Sequence, residues 1–166
     1  FRNRALNPEH PVLRGTAENP DIYFQNREAS NPFIEAIPDI VENYFQEFKK
    51  ITGREYHPFE YYGDTEAENI IIAMGSVCNT TEETIDYLRG KGEKVGLLKV
   101  HLYRPFSKKY CFAVLPKSVK KIAVLDRTKE PGSPGEPLYL DVLQMFNHET
   151  QTPIIVGGRY GLGSKD

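Results

Sequence analysis

Cys78 is the residue in this sequence with the most obvious chemical potential. It follows the apolar run Ile70-Ile71-Ile72 and precedes Asn79-Thr80-Thr81-Glu82-Glu83. That is a strand-to-helix junction, where the positive end of a helix can lower a thiol pKa. A small buried residue is nevertheless its expected role. The four histidines, His10, His57, His101 and His148, are scattered, and none lies three or four positions from another. Zinc sites need such pairs on one helix face or turn. His148 falls near a helix end, where an imidazolium favours the dipole. Gly158, Gly161 and Gly163 reverse the dinucleotide-binding spacing and follow the last predicted strand with no helix after them. Neither a Gly-x-Ser-x-Gly elbow nor a Gly-Lys-Ser/Thr phosphate loop occurs. Gly75-Ser76 is better placed, between a strand and a helix start. Backbone N–H groups there could hold an anion, or the glycine could simply make a tight turn. No catalytic residue and no metal site is expected.

The charged loop from Asp126 to Glu136 is a stronger signal. Asp126, Arg127, Lys129, Glu130 and Glu136 are mixed in sign; Pro131 and Pro134 stiffen the loop, and Gly132 and Gly135 free its φ angles. Mixed charge on a stiff loop suits a specific polar contact better than a phosphate site, which wants one sign. Arg159 and Tyr160 end the next strand on the same edge. Arg127, Lys129, Glu130, Glu136, Arg159 and Tyr160 are therefore the interface candidates.

Strands and helices must hold that loop in place. Lys121 to Asp126 reads as a buried strand, and Pro137 opens a helix with Leu138, Val142, Leu143 and Phe146 inward. The same pattern runs from Asn69–Ala73 into a helix through Ile85 and Leu88, capped by Asn79 with Glu82 or by Thr80 with Glu83. It recurs from Val95–Leu102 into a helix begun by Ser107 and stopped by Pro116, and Pro153–Val156 supplies a last strand. Upstream, Ile40, Val41, Tyr44, Phe45, Phe48 and Ile51 mark an amphipathic helix covering a core, ended by Gly53. Residues 54–67 read as a Tyr-rich connection. The fold class is α/β: a three-layer, largely parallel sheet covered by helices on both faces. Residues 1–33 hold Pro8, Pro11 and Pro20 and read as an extended arm or linker, with a short strand at Ile22-Tyr23-Phe24. Phe1, Leu6, Val12, Leu13, Tyr23 and Phe24 predict that this arm packs along another domain or subunit, and residues 34–166 form a single domain.

Composition narrows the class. The 166 residues carry 21 basic and 23 acidic side chains, a net charge of −2 that disfavours a nucleic-acid or polybasic membrane-surface role. No apolar run nears the roughly 20 residues of a membrane span. Two cysteines without Cys-x-x-Cys spacing suit a reduced, cytoplasmic protein. Phe1 opens the sequence without Met, and Gly163-Ser164-Lys165-Asp166 follows a glycine-rich turn, so the piece reads as a domain cut from something longer.

Ile70-Ile71-Ile72-Ala73-Met74-Gly75-Ser76-Val77-Cys78, Lys94 to Val100, Leu102-Tyr103-Arg104-Pro105-Phe106 and Leu125 to Gly132 closely resemble the pyruvate:ferredoxin (flavodoxin) oxidoreductase family. Gly158 to Asp166 is similar to that family's junction between domains. The resemblance covers essentially the whole chain and maps to the family's second domain. It implies a fold similar to the C-terminal domain of transketolases. It implies a parent enzyme of anaerobic metabolism that converts pyruvate and coenzyme A to acetyl-CoA and passes electrons to ferredoxin or flavodoxin. Thiamine diphosphate, Mg and iron–sulfur clusters are then held by other domains, and the partners are those domains and a second subunit of a homodimer. This domain would supply inter-domain and inter-subunit contacts, with no catalytic residue and no cofactor of its own. The alternative is a small-ligand-binding module in which Gly75-Ser76 and the Gly132–Gly135 loop hold an anion such as the phosphates of coenzyme A.

Overall fold

The computed structural model describes residues 4–12, 15 and 17–163. The chain divides into two compact units, Phe1–Glu35 and Ala36–Asp166. The first contains α1 (Pro20–Glu28) and α2 (Asn31–Glu35). Ile22, Tyr23 and Phe24 are thus helical, not the expected strand. Asn19 is extended just before the helix, Pro20 sits in its first turn, Asp21 follows, and Arg27 lies in the last turn. Each of these suits a helix at that position, and proline is disfavoured only further in. Phe1, Leu13, Ser164, Lys165 and Asp166 lie outside the described residues.

The second unit runs α3 (Ile37–Thr52), β1 (Phe59–Gly63), β2 (Asn69–Ala73), α4 (Val77–Arg89), β3 (Val95–Val100), α5 (Lys108–Val114), β4 (Lys121–Asp126), α6 (Pro137–Met145) and β5 (Ile154–Arg159). The strands form one five-stranded sheet in the order β1-β3-β2-β4-β5. All neighbours are parallel except β1, which runs antiparallel to β3. β1 lies in the stretch expected to be a connection. Its residues alternate, with Phe59 and Tyr61 on one face and Tyr62 on the other. It is an edge strand, and its tyrosines and Glu60 hide the apolar pattern that marks the central strands. Its end is held by close approach of two glycines, since a Cβ on Gly63 would lie 2.6 Å from Gly96 Cα.

Both sheet faces carry a core. On one, Ile70, Ile72, Leu98, Ile122 and Val124 pack against Cys111 of α5 and Leu138, Val142 and Met145 of α6. On the other, Ala73 and Leu97 pack against Cys78 and Ile85 of α4. The three-layer α/β architecture follows, with α4 lying over β1, β3 and β2 on the second face. Two local expectations change. α4 begins at Val77 after Ser76, with no side-chain cap, so Asn79 and Thr80 lie inside the helix rather than ahead of it. α3 buries only Pro38, so its apolar stripe is a surface ridge and not the lid of a core. Tyr44 is 65% and Ile51 83% exposed. α3 is held instead by Asp39, which accepts hydrogen bonds from Lys109 and Tyr110, and by Phe45 and Phe48 against Tyr56.

Candidate functional site

The crossover from β2 leads toward the β1 edge, and that from β4 leads toward β5. Their loops therefore part at the carboxyl ends of two adjacent strands, the place where open parallel sheets form a crevice. A cleft of about 280 Å³ lies there. Met74, Gly75 and Ser76 line it from β2, Arg127 and Thr128 from β4, and Tyr160 from beyond β5. Gly75 takes φ +79°, which only glycine adopts freely, and turns the chain into α4.

The loop after β4 is built from inside by two carboxylates. Asp126 is 2% exposed. Its two oxygens accept the N–H of Leu138 at 3.0 Å and of Tyr139 at 3.1 Å, capping α6. Burial pushes its pKa up, against the pull of those two bonds. Glu136 is 4% exposed and accepts from the Arg159 guanidinium and, at 2.8 Å, from the Glu130 N–H. The Arg159 hydrogen bond holds its pKa below the usual glutamate value. Arg127 donates to Gly161 O at 3.1 Å, and the Tyr160 N–H donates to Asp126 O at 3.2 Å. The loop and the end of β5 are thereby tied into one rigid rim.

The structure thus brings together Arg127, Glu130, Glu136, Arg159 and Tyr160, with Gly75 and Ser76 on the opposite lip. Lys129 is exposed on the loop and adds to the positive field on Glu136. One expectation needs correcting: Glu136 is a buried tie with both oxygens engaged inside the chain, not a group displayed to a partner. Position alone could not show this, because Arg159 lies 23 residues away.

Cys78 is not an activated thiol. It is 5% exposed, and burial raises its pKa despite the nearby Lys99 charge. Lys99 itself escaped the sequence reading. Its ammonium bridges Glu60 at 2.5 Å and Glu82 at 2.8 Å, beside a second cleft of about 460 Å³ that includes Gly75, Cys78 and His101. Glu60 stands directly across from Lys99 in the antiparallel register. Without β1 that pair was invisible. Among the described residues, no group of three or more His, Cys, Asp or Glu is placed to hold a metal, and no helix is long and apolar enough to cross a membrane.

With this geometry in view, comparison with known proteins is informative. Residues 67–165 match the family described as pyruvate:ferredoxin oxidoreductase core domain II. The chain belongs to that family. As core domain II it carries both lips of the crevice within the matched segment. It is 64% identical over its whole length to the pyruvate-flavodoxin oxidoreductase of Enterobacter agglomerans, and 60% identical to the pyruvate:ferredoxin oxidoreductase of Moorella thermoacetica. It spans 14% of the length of each of those relatives. Among solved structures it is similar to a 2-oxoglutarate:ferredoxin oxidoreductase from Magnetococcus marinus, at 22% identity and a TM-score of 0.44, covering 64% of this chain and 17% of that one. It is also similar to a transketolase from Pichia stipitis, at 24% identity and a TM-score of 0.36, covering 45% of this chain and 12% of that one.

The iron–sulfur clusters that such a parent would carry do not fit core domain II. Cluster ligation needs several thiolates converging on one point. Here Cys78 and Cys111 belong to the cores on opposite sheet faces, and burial pushes Cys111 up to about 12.

Proposed function

We propose that this chain is a contact domain of a larger pyruvate:ferredoxin or pyruvate:flavodoxin oxidoreductase. The parent oxidises pyruvate with coenzyme A to acetyl-CoA and hands electrons to ferredoxin or flavodoxin, using thiamine diphosphate, Mg and iron–sulfur clusters held elsewhere. The domain itself holds neighbouring domains and a second subunit in position. The observation that carries this reading is the rigid rim from Asp126 to Glu136. Its buried carboxylates serve the loop's own shape, while Arg127, Lys129 and Glu130 are left exposed in a fixed arrangement. Preorganised mixed charge of this kind gives specific, oriented docking.

Calorimetry tests the non-catalytic part. The 166-residue chain should give no heat with thiamine diphosphate and Mg, and saturable binding would contradict the reading. A second reading is favoured by the crevice itself. Ser76 at the start of α4 faces Arg127 and Thr128 across about 280 Å³, a setting suited to an anionic group such as a phosphate of coenzyme A. A thermal shift with coenzyme A that disappears in Arg127→Ala would support it; no shift for either protein would leave the contact reading standing alone.

A further inference from the structure

α3 buries only Pro38, so polar contacts do much of the work of holding it. At its start, Asp39 accepts from Lys109 Nζ and from the Tyr110 hydroxyl, at 2.7 Å each. Further along, the contacts converge on His57, in the segment between the helix and β1. His57 Nδ1 lies 3.0 and 3.1 Å from the two carboxylate oxygens of Glu42 on α3. Its Nε2 lies 3.5 Å from Glu55. Glu55 in turn accepts from Lys49, in the last turn of α3, at 2.6 Å. Gln46 donates to Glu42 from the same helix at 2.7 Å.

Each ring nitrogen of His57 therefore faces a carboxylate, and the two carboxylates sit on different segments. An imidazolium carries a hydrogen on both nitrogens, a neutral imidazole on one only. Charged, His57 can serve Glu42 and Glu55 together; neutral, it leaves one of them facing a lone pair. Carboxylates, amines and phenols hold their charge state between about pH 5.5 and 8, whereas an imidazole does not. The neighbours conform. A hydrogen bond from Lys49 holds Glu55 below the usual glutamate value, and one from Lys109 does the same for Asp39. Burial, with the bond to Asp39, pushes Tyr110 up to about 12. His101 is the other imidazole within reach, edge-on to Tyr56, and its Nδ1 donates to the His57 carbonyl oxygen at 2.9 Å. A carbonyl can only accept, so that nitrogen bears its hydrogen in either charge state and the bond is indifferent to titration.

We propose that His57 is a pH-dependent latch on α3. Its imidazolium clamps Glu42 of the helix to Glu55 of the segment that follows, and loss of the proton loosens the part of the helix beyond Asp39. The contribution is thus present at acid pH and lost as the pH rises through the imidazole range. The first turn stays pinned by Lys109 and Tyr110, and Gly53, at φ +73°, ends the helix just before the clamped segment. A groove of about 630 Å³ runs between α3 and Tyr56 and His101, lined from the helix by Val41, Tyr44, Phe45 and Phe48. The latch sets how rigidly that groove and the exposed ridge beside it are shaped.

Hydrogen exchange of the full-length protein, read by mass spectrometry on peptides from Ile37–Thr52, tests this directly. Each rate is divided by the intrinsic rate at its own pH. Between about pH 5.5 and 8 the protection of α3 should fall about three- to fivefold, the effect of one partly exposed ion pair, while that of α4 stays constant. His57→Gln, which cannot take a charge, should show the lower protection at both pH values. Glu42→Gln, which keeps the imidazole and removes its partner, should likewise flatten the profile, and His101→Gln should leave the fall intact. A flat profile in the unsubstituted protein would overturn the proposal, and so would a fall that persists in His57→Gln, disappears in His101→Gln or extends equally to α4.

Discussion

Asp126 and Glu136 do most to shape the candidate contact loop, and they do so with opposite pH dependence. Asp126 has its folded pKa above its unfolded one because burial disfavours the charge. The pH-dependent part of its contribution is therefore favourable at acid pH and fades as the pH rises through the folded value, while the two hydrogen bonds to the start of α6 remain. Glu136 has its folded pKa below its ordinary value of 4.5, chiefly through Arg159. Its contribution is present above the unfolded pKa and lost as the pH falls through the folded one. Glu136→Gln should accordingly flatten the acid side of the stability profile, read by urea unfolding between about pH 3 and 6. Asp126→Ala removes both acceptors at the start of α6 and leaves two N–H groups unpaired. It should cost about 2 kcal/mol in urea unfolding at neutral pH, and a loss below about 0.5 kcal/mol would show that water replaces the cap. At this scale the sequence was only half legible. It placed Arg127, Glu130, Arg159 and Tyr160 on one edge, because all lie at or just past the carboxyl ends of strands in a parallel sheet. It could not show that Glu136 faces inward, since that depends on a partner on another strand.

At the scale of elements, the β1–β3 pairing holds the clearest predictions. Gly63 has φ +135°, and its added Cβ would strike the backbone of Gly96 and Val95. Neither contact can yield without moving a strand, so Gly63→Ala should destabilise the chain by about 2 kcal/mol or more in chemical denaturation. Lys99→Ala leaves Glu60 and Glu82 facing each other across the place of the lost ammonium. The loss should be about 1–2 kcal/mol, below that for a fully buried pair because both carboxylates keep solvent contact. High salt should reduce it by screening the two acids. The central strands were readable as short apolar runs rich in β-branched residues, Ile70 to Ile72 and Ile122 to Val124, because burial in the sheet selects such residues. β1 was not, since an edge strand that carries Glu60 and two tyrosines can satisfy its pairing without that signature. α3 shows a different limit. Helical periodicity marks an apolar face without saying whether this chain or another covers it, and here Tyr44 and Ile51 remain exposed.

At the scale of the whole molecule, the second unit has more prepared surface than its own core uses. The α3 ridge with Tyr44 and Ile51, the apolar Ile154 and Val156 beside α4 and the rim of the crevice all leave side chains exposed. A domain that serves assembly is expected to look this way, with hydrophobic and mixed-charge patches held in place rather than a convergent acid–base pair. The most direct test substitutes Arg127 and Glu130 together by Ala in the full-length protein. Sedimentation velocity then reports assembly, and pyruvate-dependent flavodoxin reduction reports turnover per assembled enzyme. The contact reading predicts that the assembly dissociates at higher protein concentration than the unsubstituted enzyme, while turnover of the assembled fraction is unchanged. Intact assembly with turnover lowered about tenfold or more, equivalent to about 1.4 kcal/mol in the barrier, would contradict it and give the rim a part in the chemistry.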